Sequence, residues 1–225
     1  MRRGAVAAVL LLAAIGLALF LRERGRPQEN AGPRPPNLSR FDAAFERQVA
    51  AFEGVPAFRA QLAGLPAKEL RQAIQTLAAK GMRRLSDDRL QARTRIVGRM
   101  LEGLDVETCS AMATGRQNEA VHDAALLALD PDSLDAWVAL SFEAARAELE
   151  KRPVSRPTAQ ELQLSLDVLF QRVPEADAGR LRVALAGLAS QPPAEACWAA
   201  RTTYAAVPDL PAPAARVLAR ELAGP

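Results

Sequence analysis

The 225-residue chain carries a formal charge of +3, yet residues 1–36 hold six arginines and two acids, which leaves 23 basic against 24 acidic residues in 37–225. The pI of 9.3 therefore describes one end of the chain, and the near-neutral remainder lacks the electrostatic footprint of a nucleic-acid binder. Two cysteines and one histidine exclude a disulfide-dense scaffold and a His-rich metal centre, while about 185 residues beyond the basic end suffice to bury a core on the order of 70% of the unfolded surface.

An apolar run from Ala5 to Leu21 opens the chain, preceded by Arg2 and Arg3. At about 1.5 Å per residue it reaches roughly 26 Å, near the thickness of a bilayer's hydrocarbon core. No small-residue cleavage context follows it, since Phe20, Leu21, Arg22, Glu23 and Arg24 come directly after, so the expectation is a retained anchor, residues 1–21, and not a cleaved signal. The flanking arginines attract anionic head groups. Their count leans toward a cytoplasmic domain, whereas the short N-terminal tail leans toward an exported one. Arginine outnumbers lysine 26 to 3, a composition expected of a GC-rich bacterial genome.

Residues 22–37 combine charge with Pro27, Pro33, Pro35 and Pro36 and show no apolar period, which predicts a solvated tether. From residue 38 to 225 the patterning is helical throughout. Ser39 is the expected cap of a helix with Phe41, Phe45, Val49 and Phe52 on one stripe. Pro66 fits a first helical position ahead of Leu70, Ile74 and Leu77, with Gly81 as the stop. Ser86 precedes a helix with Asp87 and Asp88 in its first turn and Leu90, Val97 and Leu101 on one face. Asp132 or Ser133 opens the next, through Leu134, Val138, Phe142, Ala145 and Leu149. Thr158 and Glu161 form a capping box before Leu162, Leu166 and Leu169. Pro174, Pro192, Pro193, Pro208 and Pro211 punctuate three final helices. No run alternates with the period of a strand. The expected fold is all-α, a bundle or short solenoid of about ten helices.

A weak internal repeat adds architecture. Ala67-x-Glu69-Leu70 returns as Ala159-x-Glu161-Leu162, and Leu101-x-Gly103-Leu104 before Cys109 returns as Leu185-x-Gly187-Leu188 before Cys197. This suggests two copies, 40–116 and 121–207. It would place both cysteines at equivalent positions, where residues near a pseudo-twofold axis meet, and so predicts a Cys109–Cys197 disulfide. An oxidising compartment would then hold the domain, which favours the periplasmic side of a bacterial inner membrane.

Chemistry-bearing residues are sparse. His122, near Glu119, Asp123 and Asp130, reads as a packing or surface residue, and Cys109, Cys197 and His122 supply three zinc-type donors without a close CxxC pair. A thiol- or metal-dependent enzyme using Cys109 and His122 is the alternative to a domain with no catalytic residues, no cofactor and no metal. The densest charge, Arg83 to Arg99, places Arg84, Arg95 and Arg99 as an anionic-contact ridge opposite Leu90, Val97 and Leu101. Aromatic residues for base stacking are missing from it. Trp137 and Trp198 read as core anchors. The functional expectation is a single-pass membrane protein contacting the bilayer through residues 5–21, with a helical domain that binds or scaffolds a protein partner or, facing the cytoplasm, serves as a tethered adaptor.

Overall fold

The computed structural model describes residues 35–116 and 118–224, within which all regular structure is helical. The expected membrane anchor and most of the tether lie outside the described residues. Among those described, no helix is long and apolar enough to cross a membrane. The α-helices are α1 (Pro36–Phe52), α2 (Pro56–Leu62), α3 (Ala67–Gly81), α4 (Asp87–Gly103), α5 (Val106–Ala113), α6 (Glu119–Leu127), α7 (Pro131–Leu149), α8 (Ala159–Arg172), α9 (Glu175–Ala186), α10 (Pro193–Ala206) and α11 (Ala212–Glu221). Short 3-10 turns at Met82–Arg84, Leu188–Ser190 and Val207–Asp209 join some of them.

Several helix starts differ from expectation. Helix α1 begins at Pro36, so the tether ends earlier and Ser39 is an exposed residue inside the helix; proline at the first position has a preset φ and no N–H to satisfy, and no side chain caps this start. Pro66 stands one residue before α3, outside its first turn. Asp130, not Asp132 or Ser133, caps α7, its carboxylate accepting from the amides of Asp132 and Ser133. The capping box at Thr158 and Glu161 is present in both directions.

Three apolar clusters form the interior. The first joins α1, α2, α3 and α7, where Phe142 meets Phe45 and Phe52 edge-on with ring centroids 5.0 Å apart in both pairs. The second joins α8 through α11, and the third gathers α4, α5 and α6 against α10. Alanine-richness serves close approach: Ala144 and Ala147 are fully buried, and a side chain on Gly81 would come within 1.8 Å of the Ala144 carbonyl oxygen. Helices α3 and α7 therefore touch backbone to backbone.

Arginine also serves the fold. The last carbonyls of a helix lack intrahelical partners, and a guanidinium can reach them from a neighbouring helix. Arg201 on α10 donates to the carbonyls of Leu101 at 2.8 Å and Leu104 at 2.5 Å, closing the end of α4. Arg93 on α4 donates to the Leu222 carbonyl at 2.9 Å, closing the end of α11. Arg84 pairs with Glu148 at 2.6 Å and donates to the Arg152 carbonyl beyond α7. These ties cross between elements far apart in sequence.

Candidate functional site

The structure joins the two cysteines of the expected site residues and leaves His122 and the arginines elsewhere. Cys109 on α5 and Cys197 on α10 are buried at 0% and 1% exposure, with sulfurs 2.01 Å apart and Cα atoms 5.3 Å apart. Helices α5 and α10 pack directly on one another, so the sequence separation of 88 residues closes at the centre of the third cluster. Neither sulfur is a free thiol, and the thiol reading of Cys109 with His122 therefore has no nucleophile in this state. His122 is half-buried, edge-on to Phe41 with ring centroids 6.3 Å apart, and its Nδ1 lies 3.8 Å from Asp123. Among the described residues no three His, Cys, Asp or Glu side chains gather as a metal site.

Of the expected arginine ridge, Arg95 and Arg99 are exposed one turn apart on α4, and Arg84 stands apart from them. Arg84 sits in the turn before α4, because that helix begins at Asp87, and its pair with the buried Glu148 turns it inward. Lys151 and Arg84 hold the Glu148 carboxyl below the usual carboxylate range. Arg99 reaches Asp130 at 3.4 Å and also donates to the Ser133 hydroxyl. Bonds from the Ser133 hydroxyl and amide, with Arg99 nearby, lower the Asp130 pKa. Arg95 alone is exposed without an ion pair among the described residues. Trp198 also differs from a plain core anchor: it is half-buried, with the Arg180 guanidinium 3.9 Å from its ring centroid.

What the structure builds instead is a cavity of about 170 Å³ where the three apolar clusters meet. One wall comes from α1, α3 and α7 through Phe45, Ile74, Ala78 and Phe142. A second comes from α4, α5 and α6 through Val97, Met100, Met112 and Val121. The third comes from the C-terminal helices through Leu185, Ala200, Tyr204 and Leu222. Aromatic rings, the three methionines Met82, Met100 and Met112, and aliphatic branches thus line a space drawn from nearly the whole domain. Methionine suits such a wall because its unbranched side chain adapts to differently shaped contents.

The polar groups at the cavity are few. Ser141 and Thr203 spend their hydroxyls on the carbonyls of Trp137 and Ala199, four residues back in their own helices. Gln75, His122, Arg93, Trp137 and Tyr204 supply the other polar atoms of the lining side chains. Arg93 is the exception chemically, a guanidinium at 9% exposure on the buried stripe of α4. The sequence carried a signal for it, since Arg93 falls on the same helical face as Leu90 and Val97.

A second depression, of about 260 Å³, lies at the end of α11 and is lined by Arg83, Arg156, Arg220 and Glu221. Burial and the neighbouring Arg156 lower the Arg83 pKa, and burial raises that of Glu221. Arg220 is committed to Asp87 at 2.6 Å.

No family model matches the chain, and no curated protein or solved structure matches it significantly.

Proposed function

We propose that the helical domain is a receptor for a small apolar ligand, held in the cavity between its three clusters, and that it binds without transforming what it holds. The carrying observation is the cavity itself, a partly open, mostly apolar recess between the three clusters. At about 170 Å³ it exceeds the roughly 150 Å³ of an apolar cavity that admits benzene. A single ring or a short acyl chain is the matching size.

The same proposal tethers the domain to a bacterial inner membrane through residues 5–21 and places it on the periplasmic side. The apolar run supports the tether. The buried cysteine pair supports the oxidising side, because structural disulfides persist there and are rare among cytosolic proteins. The ordered return of Gly103-Leu104 and Gly187-Leu188 at the ends of α4 and α9, each followed by the helix that carries its cysteine, supports reading 40–116 and 121–207 as two copies. A protein partner is the second reading. It is favoured by Leu164 on α8 and Val183 on α9, which are 58% and 70% exposed on two helices that pack together.

Trp137 lines the cavity and Trp198 does not, so the Trp198→Phe variant of the full chain has a single indole reporter there. Toluene should quench or shift its emission saturably. Ala200→Phe, or Ala125→Leu should the first variant misfold, should fill the space and abolish the response. A response unchanged by filling would defeat the receptor reading. Alkaline phosphatase fused to the C-terminus should be active, and activity confined to a cytoplasmic reporter at that point would reverse the topology.

A further inference from the structure

We infer that the ligand carries an anionic head, a carboxylate on a short acyl chain or single ring, and that Arg93 receives the charge; this rests on the receptor reading above. Arg93 belongs to the wall of the cavity and to the closely packed face of α4. Burying a cation is expensive unless opposite charge and hydrogen-bond acceptors replace the water it loses. Here the replacement is incomplete. A guanidinium has five N–H donors, and the described residues satisfy one, through Nη1 and the Leu222 carbonyl at 2.9 Å. Its Nε is buried without an acceptor. No carboxylate among the described residues forms an ion pair with Arg93, in contrast to Arg84, Arg180 and Arg220, each of which has one.

The charge at the site favours an anion. The Leu222 carbonyl ends α11, and a helix C-terminus presents the equivalent of about half a negative charge. About half of the guanidinium charge is left uncompensated beside an apolar void. A ligand bearing negative charge would offset that remainder, and one charge overshoots it less than two would. A carboxylate is also a strong acceptor of charge-assisted bonds from guanidinium N–H groups. Mostly apolar walls elsewhere select the remainder of the molecule. Size then limits it to a chain of about eight carbons or one substituted ring, by comparison with the benzene-sized cavity.

Octanoate and 1-octanol are the probes, matched in chain length and differing in charge, titrated calorimetrically into the full chain at neutral pH. Octanoate should bind at least ten-fold more tightly than 1-octanol. Arg93→Met should bring octanoate down to the affinity of the alcohol and leave the alcohol unchanged. Arg93→Gln retains a donor for the Leu222 carbonyl and should give the same loss, which separates charge recognition from any loosening of α11. Circular dichroism reports which variants fold, and the wild-type comparison decides the matter even if neither does. Equal affinities, or a preference that survives either substitution, would overturn the role of Arg93 while leaving the receptor intact. Failure of both probes to bind wild type would instead defeat the receptor reading and this inference with it.

Discussion

Reducing the Cys109–Cys197 bond should weaken the fold substantially, and the geometry says by how much. The crosslink spans 88 residues, nearly half of the described chain, so its loss releases a long loop in the unfolded state. The chain-entropy relation gives about 4.6 kcal/mol for a loop of that length. For a domain of this size that corresponds to a fall in Tm of about 9 to 18 °C. The folded state offers little to offset the loss, because both residues are already buried between α5 and α10 and two thiols would occupy the same apolar space. Thermal unfolding of the full chain, followed by circular dichroism with and without reductant, measures the difference. Cys109→Ser and Cys197→Ser should fall by similar amounts, and the double variant should fall little further, because one bond is lost in every case. Indifference to reductant, or losses that add in the double variant, would refute the reasoning.

Glycine contrasts provide a second check. Gly81→Ala should destabilise by about 2 kcal/mol in denaturant unfolding, because its Cβ would meet the Ala144 carbonyl oxygen at 1.8 Å and force α3 from α7. Gly179→Ala, in open space within α9, should stabilise by about 0.5 to 1 kcal/mol. Glu148→Gln should cost about 2 kcal/mol at neutral pH, since it weakens charge-assisted bonds to Lys151 and Arg84. Because the Glu148 carboxyl is held below its ordinary range in the fold, its contribution is complete above the unfolded pKa of about 4.3 and disappears as pH falls through the folded one. Unfolding free energies of wild type and variant should therefore converge in acid, and a gap that persists there would contradict the assignment.

The long helices were readable because each repeats its apolar period over several turns. Phe45, Phe52, Leu90, Val97 and Phe142 all point inward as their spacing implies. Helices α2, α5 and α6, of 7, 8 and 9 residues, are too short for a period to stand out. Starts marked by proline misled the choice of cap at α1 and α7, because proline at the first position and serine or aspartate nearby offer competing local signals. The cavity was invisible for a different reason. Its walls come from Phe45, Ile74, Met100, Val121 and Leu185, which are separated by tens of residues and brought together only by packing. Arginines that close distant helix ends are equally nonlocal. The composition revealed their abundance, while the carbonyls at the ends of α4, α7 and α11 reveal what they do.

Methyl chemical shifts of the full chain titrated with toluene test the receptor claim most directly. The account predicts saturable shifts confined to the cavity methyls, Val97, Met100, Met112, Val121 and Leu185 among them, with the exposed methyls of Leu164 and Val183 unmoved. Shifts confined to those exposed residues, or none at toluene saturation, would contradict it.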